Sequence, residues 1–256
     1  MAVVGTALIA VPVVALMFEV PWSSFAAVFG DPGTRTALWL SVRTSVTATM
    51  LSVLVGLPVA WMLAGSRFPG KRLVRAVCVL PMVLPPVVGG VALLFVFGRR
   101  GVVGSILHDH FGFRFAFTET AVVISQFFVA VPFFIVVMES AFQQINPDIT
   151  GVARTLGARP WQVVRRITVP IVRPSFVAAV VLTWARALGE FGATITFAGN
   201  TPGRTQTLPL AIYTSLEQDP DAALAMSVLL IAVSLVVLVG MRGRWLDGVT
   251  GRGGAR

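Results

Sequence analysis

Six apolar runs, each long enough to cross a lipid bilayer as a helix, dominate this sequence. They cover residues 2–20, part of 36–65, 76–97, 119–141, 175–198 and 222–241. About 20 helical residues cross the roughly 30 Å hydrocarbon core of a bilayer. Backbone polar groups find no water there, so such runs must fold as helices that satisfy their own hydrogen bonds. We therefore predict an all-α integral membrane protein with about six transmembrane helices.

The composition agrees with a lipid environment and argues against a soluble protein. Hydrophobic residues make up 56% of the chain and charged residues only 12%, whereas a soluble domain carries about 25% charged residues. One transmembrane domain accounts for all 256 residues. The formal charge of +9 fits basic cytoplasmic loops better than a nucleic-acid partner, so we expect the lipid bilayer and no nucleic acid to be bound.

The basic residues are distributed unevenly between the two sets of loops. With six spans and a cytoplasmic N-terminus, 13 of the 20 lysines and arginines fall in cytoplasmic loops or the C-terminal tail, and five fall in outer loops. Cytoplasmic loops carry an excess of basic residues. The distribution therefore predicts that both termini are cytoplasmic.

The fifth run contains two charged residues near its middle, in the stretch WARALGEFGAT. Such a residue at the bilayer centre costs at least ~2.5–3.5 kcal/mol. Arg186 and Glu190 are spaced i, i+4, so they share one helix face and can neutralise each other. One interpretation is a structural ion pair; the other places this face, with Thr194 and Thr196, on a translocation path or gate. We favour a paired, structural or gating role for Glu190 over a role as substrate ligand.

The third run contains the proline- and glycine-rich stretch LPMVLPPVVGG. Prolines remove backbone donors, which makes a straight helix unfavourable. Two structures remain open for it: a kinked span, and a broken helix that is buried in protein or lines a wet cavity.

The long basic loop at about 143–173 is amphipathic. Asn146 and Pro147 predict the start of a helix over 147–156, and Gly157 predicts its end. A second helix is predicted from Pro160 to about Thr168, with its apolar face formed by Trp161 and the residues that follow at helical spacing. These helices suit either the surface of anionic lipid or the docking of a soluble partner.

Two stretches of this chain are similar to known sequences. Residues Gly151, Val152 and Ala153 occupy the E-A-A positions, and Gly157 and the I-x-V-P run of Ile167–Pro170 match the spacing of the cytoplasmic EAA loop of ABC importer permeases. Glycine replaces the glutamate of that pattern, and valine its first alanine. Downstream, ARALGEFGATITFAGN and TPGRTQTLPLAIY resemble the molybdate/tungstate-type permeases, whose G-E-F-G-A core the sulfate/thiosulfate permeases share.

The resemblance implies a type I ABC importer permease in the plasma membrane of a prokaryote. It implies a homodimer of permease subunits, two cytoplasmic ATPase subunits that bind ATP and Mg²⁺, and an external oxyanion-binding protein. The residues implied to couple this chain to an ATPase subunit are Gly151, Val152, Ala153, Arg154, Leu156, Gly157, Ala158, Ile167 and Pro170. The outer segment 204–218 is expected to form a short helix near the gate.

Motifs for other chemistry are incomplete. GSRFPGKR at 65–72 matches part of a phosphate-binding loop, but arginine replaces the Ser/Thr that would bind Mg²⁺. His108, Asp109 and His110 lack a third ligand for a metal, and we expect them in a solvated loop. We therefore expect neither catalysis, a metal nor a cofactor in this chain.

The leading hypothesis is a permease subunit that imports molybdate or tungstate by alternating access, driven by separate ATPase subunits. A sulfate/thiosulfate permease is the first alternative. A membrane scaffold predicts transport that is independent of the 147–170 loop. A lipid-modifying enzyme predicts clustered Asp or His at an interface, which the sequence does not show.

Overall fold

A computed structural model describes residues 1–240, and every regular element in that range is helical. In chain order the helices are α1 (Ala2–Glu19), α2 (Trp22–Gly30), α3 (Pro32–Gly65), α4 (Lys71–Val83), α5 (Pro86–Phe97), α6 (Val102–Phe111), α7 (Glu119–Gln143), α8 (Pro147–Thr155), α9 (Pro160–Val163), a π-helical turn (Val164–Thr168), α10 (Val169–Leu188), α11 (Gly192–Phe197), α12 (Leu208–Gln218) and α13 (Pro220–Gly240). The four arginines of the predicted cytoplasmic tail lie outside the described residues, and the orientation stays a prediction.

Four helices among residues 1–240 are long and apolar enough to cross a membrane, and a bent pair makes a fifth. The four are α3, α7, the continuous helix Pro160–Leu188 and α13, and the bent pair is α4 with α5. Residues 1–240 thus show four or five spans, beside the about six that the sequence predicts. The first predicted run does fold as α1, but its apolar part, Val4–Glu19, is shorter than 18 residues.

Helix α3 is longer than a bilayer requires. Its 34 residues correspond to about 51 Å, against roughly 30 Å of hydrocarbon, so one end projects beyond the core. The Asp31 carboxylate caps the start of α3 by accepting a hydrogen bond from the Thr34 N–H at 2.7 Å, which satisfies one of the donors that a helix N-terminus leaves free. Which end projects stays a prediction.

Helix α7 lies at the centre of the bundle, between α3 and α10. In the apolar 18-residue stretch of α7, 61% of the residues are buried, whereas 33% or less are buried in the corresponding stretches of the other three long helices. Phe134 of α7 packs edge-on against Phe176 of α10, with ring centroids 5.9 Å apart. A methyl group added at Gly56 of α3 would lie 2.8 Å from the Phe134 ring. The core therefore depends on close approach of three helices.

The third run is broken rather than kinked. Helices α4 and α5 meet at an angle of 116°, and Leu84 between them is extended, with φ −67° and ψ 134°. Pro85 and Pro86 explain the break, because neither has an N–H to donate and a residue before proline is pushed out of the helical region. This resolves the two structures left open by the sequence.

The fifth run is also interrupted, which the sequence did not predict. The expected span over 175–198 divides into α10, which ends at Leu188, and the short helix α11, which begins at Gly192. Glu190 therefore lies in a break between two helices rather than inside a continuous span. Helix α11 packs against α5, so the two interrupted segments meet.

Candidate functional site

Helix α8 matches the predicted helix of the long basic loop, including both of its ends. The Asn146 side-chain oxygen accepts a hydrogen bond from the Asp148 N–H at 2.8 Å, and Pro147 occupies the first turn. Gly157 has φ +83°, the left-handed conformation that commonly ends helices. The local signals in the sequence are therefore sufficient to define this helix.

Helix α8 has no buried residue, although it and the following turn carry large apolar side chains. Val152 is 60% exposed and Leu156 is 82% exposed, and Ile149 is also exposed. Contiguous exposed apolar surface of this kind marks interaction sites. The helix therefore has an apolar face with nothing packed on it from residues 1–240.

The other predicted coupling residues differ in their surroundings. Gly151 and Arg154 are exposed, and Ala153 and Ala158 are half-buried. A methyl group added at Gly151 would meet no atom within 4 Å, so this chain's own packing does not require glycine there. Gly157 also has open space, but its positive φ makes any substitution strained.

The second predicted helix does not end near Thr168. Helix α9, the π-helical turn and α10 form one continuous helix from Pro160 to Leu188. Ile167, half-buried, lies in the π-helical turn, and Pro170, exposed, lies at the second position of α10. Proline removes a helical hydrogen bond, and π turns accommodate such gaps, frequently at functional sites. Pro170 therefore alters the local hydrogen-bond pattern without ending the helix.

The predicted apolar face of this helix is also partly wrong. Trp161 is 67% exposed, whereas Val163 is 4% exposed and Thr168 is buried. Periodicity placed the apolar residues on one face, but the buried face is the one that carries Val163 and Thr168. The exposed Trp161 instead extends the apolar surface of α8 along the chain.

The continuous helix connects the two predicted sites. Its 29 residues span about 43 Å, from Pro160 beside α8 to Leu188 beside Glu190. Helix α8 and the break that contains Glu190 therefore lie at opposite ends of one continuous helix.

The carboxylate of Glu190 is buried and fully engaged at that break. One oxygen, Oε2, lies 2.7 Å from Nη2 of Arg186, which confirms the i, i+4 pair. The other, Oε1, accepts a hydrogen bond from the Ala193 N–H at 2.8 Å. Glu190 is 1% exposed and the Arg186 side chain 26%. The pair thus joins the end of α10 to the first turn of α11, where a negative charge is also favoured by the helix dipole.

Threonines near the break have different environments. Thr196 donates to the Gly192 carbonyl at 2.8 Å. The hydroxyls of Thr194 and Thr183 and both amide atoms of Gln126 are buried and have no hydrogen-bond partner within the described chain. Sequence analysis did not select Gln126, because the stretch around it, VISQFF, matches no binding or catalytic motif. Buried polar groups without partners are uncommon in folded proteins.

The two interrupted segments approach each other through glycines. A methyl group added at Gly192 would lie 2.8 Å from Cβ of Pro86, and one added at Gly90 would lie 2.8 Å from the Ala193 carbonyl oxygen. Separations this short force a neighbour to move. Gly90 therefore belongs to the site, and the glycine pair that follows Pro86 in the sequence is the signal that points to it.

Two further ion pairs were not predicted. Arg75 of α4 pairs with Glu139 of α7, and the Gln143 amide donates to the same carboxylate at 2.9 Å. Arg43 of α3 pairs with Glu119, the first residue of α7. Both partners are more than 60 positions away in the chain, beyond the range of any local sequence pattern.

The remaining predictions concern loops and the outer segment. Residues 208–218 form α12, as expected, held by the Leu208 N–H donating to the Ser41 hydroxyl at 2.6 Å. His108, Asp109 and His110 lie in helix α6, so the prediction of a loop is wrong. No group of three metal-binding side chains occurs in residues 1–240. The 65–72 stretch runs from the last residue of α3, through a mostly exposed turn, into the first two residues of α4.

Comparison with known proteins agrees with this architecture. Residues 52–246 match the family described as "Binding-protein-dependent transport system inner membrane component". The molybdenum transport system permease protein ModB of Mycobacterium tuberculosis is 46% identical over 95% of this chain and 92% of its own length. ModB of Escherichia coli K12 is 39% identical over 84% and 94%. A probable sulfate transport system permease protein of Chlorokybus atmophyticus is 30% identical over 90% and 82%.

Solved structures show the same fold. A bacterial ABC transporter involved in the import of alginate gives a TM-score of 0.70 at 22% identity, covering 95% of this chain and 92% of that one. The methionine transporter MetNI gives 0.64 at 20% identity, covering 81% and 93%. The fold is that of a type I ABC importer permease. The chain is a multi-pass membrane protein and belongs to the family of binding-protein-dependent transport system inner membrane components.

Proposed function

We propose that this chain is the permease subunit of an ATP-driven importer of molybdate or tungstate. The observation that carries the proposal is the continuous helix from Pro160 to Leu188, which joins an exposed apolar docking surface to a buried ionic break. A scaffold needs no such connection. A lipid-modifying enzyme would need a cluster of acidic or histidine side chains, and these are absent from the groups formed by residues 1–240.

In this proposal α8 docks in a groove of a cytoplasmic ATPase subunit. Val152, Leu156 and Ile149 supply apolar contact, and the absence of a side chain at Gly151 permits close approach of the partner backbone. Arg154 pairs with an acidic rim. The ATPase subunits bind ATP and Mg²⁺, and their closure moves α8 together with the helix that begins at Pro160.

At the far end of that helix, the movement reaches the break between α10 and α11. Arg186, Glu190, Thr194 and Thr196 lie on or beside the translocation path. Because the Glu190 carboxylate is already occupied by Arg186 and by the Ala193 N–H, it holds the break in shape and does not bind the anion. Two copies of the chain form the path, and an external binding protein delivers the oxyanion.

Molybdate ranks above sulfate because the relatives at 46% and 39% identity are named molybdenum permeases, whereas the sulfate relative is 30% identical. The test is ATP-dependent uptake by the complete complex in proteoliposomes, with the binding protein loaded with molybdate, tungstate or sulfate in turn. We expect uptake of molybdate and tungstate. Uptake of sulfate alone would overturn the substrate assignment, and no uptake of any oxyanion would overturn the function.

A further inference from the structure

A cationic pocket lies at the end of α7 opposite to the coupling helix. Four segments converge there: the end of α5, helix α6, the residues before α7, and the loop between α11 and α12. The cavity measures about 350 Å³. Its lining includes three arginines, Arg99, Arg114 and Arg204, together with His108 and Thr118. The lining contains no carboxylate.

No arginine of this pocket forms an ion pair within residues 1–240. The ion pairs formed within residues 1–240 are Arg43–Glu119, Arg75–Glu139 and Arg186–Glu190, and none involves a pocket arginine. Two carboxylates are close along the chain. Asp109 follows His108 but does not line the cavity, and Glu119 follows Thr118 but is held by Arg43.

The His108 ring adds a second, independent sign of a missing ligand. Its Nδ1 atom is buried and has no hydrogen-bond partner among the described residues. Buried polar atoms are nearly always paired in folded proteins. A negatively charged ligand in the pocket would supply an acceptor to this nitrogen when it carries the proton.

The backbone around the pocket is held in an uncommon conformation and is tied to α11. Phe117 has φ +59°, which is a strained value for a bulky residue. Its N–H donates to the Phe197 carbonyl at 3.3 Å, and a methyl group added at Gly199 would lie 3.2 Å from its ring. Strained residues of this kind cluster at functional sites. The pocket is thus connected directly to the short helix that Glu190 caps.

We propose that this pocket binds a tetrahedral oxyanion with two negative charges. Guanidinium groups present paired N–H donors that match the oxygens of such ions. The aromatic side chains of Phe97, Phe115 and Phe117 line the pocket and reduce the amount of water that competes for these donors. The inference rests on the proposed function, in which this ion is the substrate. It identifies a place where the substrate is held after delivery and before it passes the break.

The size of the cavity indicates weak binding. A volume of about 350 Å³ is roughly ten times the ≈ 30 Å³ that one water occupies in the liquid, so the anion keeps part of its hydration shell. Weak binding suits a transport path, because an ion must leave its site as readily as it enters.

Equilibrium dialysis with radiolabelled molybdate, and separately with sulfate, tests the inference. The probe is added to the full chain with its ATPase subunits in nanodiscs of neutral lipid, without the binding protein. We expect saturable binding that weakens about tenfold or more in Arg114→Gln, consistent with the loss of one charge-assisted contact, and similarly in Arg204→Gln. Arg100→Gln is the matched control, because Arg100 adjoins Arg99 in the chain but does not line the pocket, and it should bind as the wild type does.

Several results would overturn the inference. One is the absence of saturable binding of either ion in the wild type, and another is an equal loss in Arg100→Gln, which would indicate general attraction of anions. A third is unchanged oxyanion binding in Arg114→Gln with reduced affinity for the binding protein, which would make the pocket a docking site for an acidic protein surface. Saturable, pocket-dependent binding in a complex that imports no oxyanion would support the pocket and refute the proposed function.

Discussion

The coupling helix and the break at Glu190 use glycine in opposite ways. A methyl group added at Gly151 of α8 would meet nothing within 4 Å, whereas one added at Gly192 of α11 would lie 2.8 Å from Pro86. The first glycine leaves space that this chain does not fill, and the second removes a side chain that this chain has no room for. The difference separates an open surface, which we propose docks a partner, from a site of tight internal packing.

The charged groups of the two regions also differ in burial and in pairing. Arg154 on α8 is exposed and forms no ion pair within residues 1–240, while Glu190 is 1% exposed and has a partner on each carboxylate oxygen. Substitutions in the break should therefore act first on stability. Those on α8 should act on transport while leaving the fold intact.

The largest effect is expected for Glu190→Ala. Removing one partner of a buried ion pair typically costs about 3–5 kcal/mol, and the lower end applies here because the Arg186 side chain keeps 26% exposure. Thermal unfolding of the purified chain in detergent measures the loss. The control is Glu217→Gln, which alters an exposed glutamate of α12. An equal shift of the two midpoints would refute the structural role of Glu190.

The next largest effect is expected for Gly90→Ala. Overpacking of a tight contact costs about 1–3 kcal/mol, and the added methyl group would lie 2.8 Å from a backbone carbonyl, which cannot rotate away. Gly151→Ala is the matched control, since it places the same methyl group in open space. Thermal unfolding should show a lower midpoint for Gly90→Ala and an unchanged midpoint for Gly151→Ala. An unchanged midpoint for Gly90→Ala would show that α5 and α11 can move apart without loss of stability.

A smaller effect is expected for Glu139→Gln. Glu139 is nearly buried, but the Arg75 side chain is 41% exposed, so solvent screens the pair and the expected loss is about 1–2 kcal/mol, between the values for buried and surface pairs. Comparison of unfolding at low and high salt tests the origin of the loss. The difference in free energy of unfolding between Glu139→Gln and the wild type should be smaller at high salt. A difference that does not change with salt would assign the loss of stability to packing instead.

The smallest effect is expected for Arg43→Gln. Its pair with Glu119 has both side chains at least 40% exposed, and surface pairs contribute about 0–1 kcal/mol. The unfolding midpoint should change by less than that of Glu139→Gln. A larger change would show that the contribution of an ion pair to the stability of this bundle does not follow its burial.

Local sequence signals predicted α8 well and the break poorly, for a physical reason. Asn146, Pro147 and Gly157 influence the backbone within one or two helical turns, so the ends of α8 can be predicted from the local sequence. The interruption at Glu190 accompanies the contact of α11 with α5, about 100 positions earlier in the chain, which no local pattern reports. The spacing of Arg186 and Glu190 predicted their pairing, but the spacing alone did not reveal the hydrogen bond to Ala193.

The long-range ion pairs show the same limit. Glu139, the partner of Arg75, lies 64 positions away on α7, so the pair is identified only when the fold places α4 against that helix. The pocket arginines are similarly scattered over 106 positions from Arg99 to Arg204. Their convergence is a property of the fold, and no local motif contains them.

The most direct test of the coupling role is Gly151→Leu in the complete transport complex. Leucine favours helix formation, and a Cβ atom at position 151 has open space among the described residues, so the stability of the permease should be unchanged. Substrate uptake should fall at least about tenfold because the side chain separates the two backbones, a loss of about 1.4 kcal/mol or more, while Gly151→Ala retains most of the activity. Normal uptake by an assembled Gly151→Leu complex would contradict the claim that α8 docks closely and drives the break at Glu190.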